Sequence, residues 1–154
     1  MKYWLTTHYP HPDPDRLPWH IYLQRQHKRA VAGIAVGDPV LFYEYKYQKP
    51  VKGEPKHPVG RQGIVRLARV SGAMYHRETV LEYEDGRVAY WSWGVPANDS
   101  DILGFVSRKD LLPVINYKPR SVLFGFNGGT GVMELDEMQF NELLRMFNKG
   151  NTKR

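Results

Sequence analysis

Flat aromatic rings set beside fixed cations are the chemistry this sequence offers most plainly. Trp19 ends a loop containing Pro10, Pro12, Pro14 and Pro18, and is followed by His20, Ile21 and Gln24, then by Arg25, Lys28 and Arg29. Indole and phenol faces stack on nucleobases, while lysine and arginine engage phosphates. The chain as a whole is biased the same way, with 4 Trp, 10 Tyr, 6 Phe, a net charge of +6 and a pI near 9.5. Other chemistries lack their residues. There is no cysteine, so a thiol nucleophile, a disulfide framework and a Cys-ligated zinc or iron–sulfur site are excluded. The six histidines form neither a His-x-Glu nor a His-Glu-x-x-His pattern, and no metal site is expected. No Gly-x-Ser-x-Gly elbow occurs, and Glu82, Glu84 and Asp85 sit together at a hairpin, where they read as solvated. No catalytic residues and no cofactor are expected.

A pocket for a base needs two flat walls and a few polar groups for the base edge. Trp19 is the first wall, since it stands where a loop enters the first helix. The second wall is open among Tyr75, Tyr83, Trp91 and Trp93, and one of Trp91 and Trp93, which share a strand face, belongs to the core. His20, Ile21 and Gln24 surround the expected helix start, whose free N–H groups serve a base edge or a phosphate. Tyr43 lines the mouth or packs inside. Tyr3 and Trp4 alternate on the first strand, and Trp4 is expected in the core. Arg25, Lys28 and Arg29 track phosphates along one helix face. Arg120 and the run Asn127-Gly128-Gly129-Thr130-Gly131 offer a further anion contact or a plain tight turn. They form neither a Walker loop nor a dinucleotide fingerprint.

The elements that must position these residues follow from periodicity. Lys2–Thr6 reads as a strand. Leu23, His27, Ala30, Val31 and Ile34 recur at helical spacing, with Gln24, Arg25, Lys28 and Arg29 opposite, which predicts a short amphipathic helix beginning at Trp19. Val40–Tyr47 and Gly60–Val70 read as strands, the second with Ile64, Ala68 and Val70 on one side and Val65 and Leu67 on the other. Val80–Tyr83 and Arg87–Trp93 flank Asp85-Gly86, a hairpin signal. Pro96–Ser100 reads as loop, Ser107 as the cap of a short turn through Asp110, and Val114–Tyr117 and Ser121–Phe126 as strands. The clearest helix is Glu134–Phe147, with a capping box between Asp136 and Gln139 and a staple between Leu135 and Phe140. Charge is segregated: residues 44–77 carry a net +6 and residues 78–103 a net −5. A cationic patch in the first segment would supply a phosphate field.

In this order the motifs resemble a known family. Tyr3-Trp4-Leu5, Trp19 before a basic helix, Val36-Gly37-Asp38-Pro39-Val40-Leu41-Phe42-Tyr43 and Gly63-Ile64-Val65-Arg66 are similar to the EVE domain family, a PUA-like branch related to YTH domains. The resemblance covers most of residues 1–95 and, more weakly, the terminal helix. It departs after Trp19, where His20-Ile21-Tyr22-Leu23 stands in place of a Gly-Val-Arg-Asn-like stretch. The resemblance implies a PUA-like α+β fold, a curved mixed sheet or small barrel of about six strands flanked by a short early helix and a C-terminal helix. One domain would span residues 1–148, with a frayed tail over 149–154. The resemblance further implies an aromatic cage that holds a flipped, modified base. The base would be 5-methylcytosine or a related DNA modification, as in EVE domains attached to nucleases, or methylated adenine in RNA, as in YTH-like relatives. DNA is favoured over RNA, with a nuclease as a partner in trans. The alternative is an ASCH-like enzyme acting on RNA or a nucleoside-like substrate through Lys46, Tyr43 and Arg66. With no long apolar stretch, the expectation is a cytoplasmic protein without a membrane partner.

Overall fold

The computed structural model describes residues 1–10, 19–47, 49–56, 58–116 and 131–152. Its elements in chain order are β1 Tyr3–His8, β2 Ile21–Leu23, a 3₁₀ helix Arg25–Val31, β3 Pro39–Glu44, β4 Gly63–Val70, β5 Tyr75–Glu82, β6 Val88–Val95, β7 Ala97–Ser107, α1 Arg108–Ile115, β8 Val132–Leu135 and α2 Glu137–Thr152. They form a five-stranded sheet in the order β7-β4-β3-β1-β8 and a three-stranded sheet in the order β2-β6-β5. Among the described strands only the β1–β3 pairing is parallel. This is a curved mixed α+β fold, and the described strands do not close into a barrel.

Alternation along β3 explains how the larger sheet divides two cores. Val40 and Phe42 face a cluster with Trp4, Trp19, Ile21, Leu23 and Val95, whereas Leu41 and Tyr43 face one with Leu5, Leu111, Leu143 and Phe147. The small sheet covers the first face, and α1 and α2 cover the second. Trp4 is buried as expected, and its Nε1 donates to Asp38 Oδ2 at 3.1 Å. Tyr3, on the opposite face, stacks on Phe140 with centroids 4.6 Å apart.

The capping box forms as expected. Gln139 N donates to Asp136 Oδ1 at 2.7 Å, and Asp136 N donates to Gln139 Oε1 at 3.0 Å. Leu135 and Phe140 lie in one core cluster. The helix starts later than expected, because residues 132–135 pair antiparallel with β1 and cover its edge. Four other expectations are corrected. Ile21–Leu23 is a strand, so no helix begins at Trp19. Residues 97–100 open β7 rather than forming a loop. Val114 and Ile115 end α1, which Ser107 caps through its Oγ, because Leu111 and Ile115 bury one face of that helix. In β4, Val65 joins Ala68 and Val70 on one side, and Ile64 joins Leu67 on the other. The register explains this last case. Phe42 opposes Arg66 while Tyr43 opposes Ile64, so Val65 is an extra residue and the alternation shifts there. The expected strand Ser121–Phe126 lies outside the described residues. Among the described residues no helix is long and apolar enough to cross a membrane.

Candidate nucleic-acid interface

The β4 bulge decides where a charge goes. Strict alternation from Ile64, without a bulge at Val65, would point Arg66 toward the helices. With it, Arg66 shares the Phe42 side, and its guanidinium carbon lies 4.5 Å from the centroid of the Trp19 ring. His8, the last residue of β1, stacks on the same indole at 4.8 Å and 18°. Phe42 meets Trp19 edge-on at 5.7 Å and 82°. Trp19 is therefore 3% exposed, gripped between an imidazole, a guanidinium and a phenyl ring. The placement corrects the sequence expectation of an open first wall. The indole is part of the core beneath the site.

His8 is held neutral. Burial, with smaller contributions from His20, Arg66 and Arg77, pulls its pKa from 6.5 to about 4, against a raising effect of its bond to the His20 carbonyl. The Nε2–O distance of that bond is 2.7 Å, which suits a neutral ring donating through Nε2. The next layer outward is half-buried. Tyr22 lies 5.5 Å from His8, and the Arg77 guanidinium lies 4.1 Å above the Tyr22 ring. His20 Nδ1 bonds the Tyr75 hydroxyl at 2.8 Å. Burial, then the nearby arginine, lowers the His20 pKa, and burial pushes the Tyr22 phenol up to about 12.

A second bulge aims Arg77. His76 opposes Trp93 and Thr79 opposes Trp91, so Arg77 and Glu78 together oppose Ser92. Gly94 supplies the remaining geometry. It lies between Tyr22 and Tyr75 in the sheet, and a Cβ placed on it would stand 2.4 Å from the Tyr75 ring. The absence of a side chain lets Tyr75 lie across the strand and reach His20.

The expected site residues divide accordingly. His20 and Tyr75 come together. Ile21 is fully buried and faces the core. Gln24 joins β2 to the 3₁₀ helix, where its Oε1 accepts from Gln26 at 3.2 Å, and no helix N-terminus stands beside His20. Tyr43 is fully buried on the helix side of the large sheet, away from Trp19. Trp91 and Trp93 are half-buried. Trp93 Nε1 donates to the Arg25 carbonyl at 3.4 Å, and its ring packs on the Trp19 cluster and carries Lys28 Nζ at 4.4 Å. Arg25 lies 4.4 Å over the Tyr90 ring. Arg25, Lys28 and Arg29 are exposed. Arg120, Asn127, Gly128, Gly129 and Thr130 lie outside the described residues. His8, Tyr22, Arg66 and Arg77 join the site without any sequence signal beyond their residue types, because the bulges that aim the two arginines leave no mark on hydrophobic periodicity.

Two further expectations change. The basic segment 44–77 is not one patch: Lys52 pairs with Glu82 at 2.8 Å, Lys49 pairs with Asp85 at 3.7 Å, and Arg66 is in the core. Lys46, Tyr43 and Arg66 do not converge. Lys46 is exposed over Tyr47, and Tyr43 and Arg66 face opposite sides of the large sheet. Among the described residues no three His, Asp or Glu side chains gather as metal ligands.

The fold itself has known counterparts. Along nearly its whole length the chain is similar to protein Atu2648 from Agrobacterium tumefaciens, with 17% identity, a TM-score of 0.53 and coverage of 95% of this chain and 92% of that one. It is similar to Rpa0253 from Rhodopseudomonas palustris, with 14% identity, a TM-score of 0.51 and coverage of 96% and 94%. It is also similar to human THYN1 protein, solved in complex with DNA containing 5-methylcytosine, with 14% identity, a TM-score of 0.54 and coverage of 94% and 96%. No family model and no curated protein matches the sequence. The chain has the EVE/PUA-like fold that its motifs resemble.

Proposed function

We propose that this chain is a nucleic-acid-binding module that reads a modified base, with DNA favoured over RNA and a methylated or otherwise modified cytosine as the base. One observation carries the reading. A buried stack of Trp19, His8 and Arg66 continues through Tyr22 to half-buried His20, Tyr75 and Arg77, bringing flat rings, hydrogen-bonding edges and positive charge to one point. The shared fold with THYN1, whose structure holds 5-methylcytosine DNA, supports the choice of ligand. Trp19 is the floor of the site in this reading, and Tyr22, His20 and Tyr75 are the walls met by a base turned out of its strand. Arg25, Lys28 and Arg29 hold phosphates nearby. The module binds rather than cleaves, with a nuclease in trans as the kind of partner that would act on the marked strand.

Fluorescence titration of matched oligodeoxynucleotides with and without 5-methylcytosine tests the proposal. The modified strand should bind more tightly, and Tyr75→Ala should remove that preference. Equal affinities for the two strands would end the modified-base reading, and no binding to either would end the nucleic-acid reading.

A further inference from the structure

The outer face of the small sheet starts at the pocket walls and continues past them to residues that the base pocket does not use. Cross-strand partners share a face, so Tyr22, Gly94 and Tyr75 form one row. Four residues along β6, about 13 Å away, Tyr90 returns to the same face opposite Val80. Tyr90 is 42% exposed and Val80 54% exposed. A guanidinium lies on a tyrosine at each end: Arg77 at 4.1 Å from the Tyr22 centroid and Arg25 at 4.4 Å from the Tyr90 centroid. Among the described residues neither arginine is paired with a carboxylate. Of the two carboxylates on this face, Glu78 stands beside Arg77 opposite Ser92, and Glu82, at the hairpin end, is held by Lys52.

We infer that this face, leading from the pocket walls Tyr22 and Tyr75 to the exposed ring of Tyr90 with Arg25 laid on it, is a stacking track on which Tyr90 takes single-stranded nucleic acid flanking the read base. An exposed ring with a cation beside it takes bases of any sequence, because every base has a π-face. A guanidinium held over a ring still has N–H donors to offer phosphate oxygens. A duplex keeps its bases stacked on each other and offers this face only phosphates, so the track selects single strands. The inference rests on the nucleic-acid reading above and extends it to the form of the strand.

The test uses the full chain and fluorescein-labelled oligodeoxynucleotides: an unmodified thymidine 12-mer, a duplex of equal length, and the pair with and without 5-methylcytosine. The single strand should bind more tightly than the duplex, and Tyr90→Ala should weaken single-strand binding about tenfold, with Tyr90→Phe restoring it. Tyr90 is 42% exposed, so its removal should leave the fold intact, which circular dichroism checks. The preference for 5-methylcytosine should survive Tyr90→Ala. Unchanged single-strand affinity in Tyr90→Ala overturns the track even if base discrimination persists. Lost discrimination with retained Tyr90 dependence overturns the base reading and keeps the track. An acidic peptide or an anionic vesicle bound as tightly, with the same dependence on Tyr90, also overturns it.

Discussion

His8 shows what burial does to one titratable group. Its pKa stands near 4 in the folded chain against 6.5 for a free imidazole. The unfolded chain therefore binds this proton more readily. The stability owed to neutral His8 is complete above pH 6.5 and is lost as the pH falls toward 4. The shift corresponds to about 3 kcal/mol when complete. Urea unfolding across that window should show a steeper loss of stability in the natural chain than in His8→Gln, and identical slopes would contradict the assignment. Trp19 is equally structural. Trp19→Ala empties a site 3% exposed, and should cost about 3–5 kcal/mol, read as a lowered thermal midpoint. A retained midpoint would mean that the indole is not part of the core.

At the scale of elements, two β-bulges do what propensity does not. Each adds one residue to a strand, and each turns an arginine onto an aromatic ring, Arg66 onto Trp19 and Arg77 onto Tyr22. Gly94 completes the arrangement by leaving room for Tyr75. Gly94→Ala should force that ring aside and destabilise the chain by about 1–3 kcal/mol. The double variant with Tyr75→Ala should recover part of the loss, since the two changes share one contact. Strict additivity in chemical denaturation would place the strain elsewhere. The capping box of α2 makes a simpler prediction. Asp136→Ala removes the acceptor for Gln139 N and should cost about 1 kcal/mol in the same assay.

At the scale of the molecule, the fold brings together charges that are segregated along the chain, +6 over residues 44–77 and −5 over residues 78–103. The lysine-rich loop folds back on the acidic hairpin through the Lys52–Glu82 and Lys49–Asp85 contacts. Such exposed pairs contribute little to stability, about 0–1 kcal/mol, but they remove those charges from the field a ligand meets. Arg25, Lys28 and Arg77 are the cations that lie over rings of the small sheet. Nucleic-acid affinity should fall as salt rises, and Lys28→Ala or Arg25→Ala should flatten that slope. Lys52→Ala, at the screened end, should leave it unchanged. Equal effects of all three substitutions in a salt titration would refute the division.

The sequence by itself determined the local features. The Asp85-Gly86 hairpin, the Asp136–Gln139 box, the burial of Trp4 and the strand at Val40 were legible because each is set by neighbours within a few residues. The Tyr-Trp-Leu and Gly-Asp motifs also carried the fold class. The tertiary structure alone decided which side of a sheet each ring or charge occupies. A bulge moves Arg66 between two cores without altering composition. Tyr43 and Phe42 are adjacent and alike, yet pairing sends one toward the helices and the other toward Trp19. The helical spacing after Trp19 yielded to a three-residue strand, because pairing with β6 satisfies backbone groups that an isolated short helix leaves unmet. Side-chain partners distant in sequence, such as His8 with Trp19 and His20 with Tyr75, follow from how the two sheets meet, and no local pattern encodes that junction.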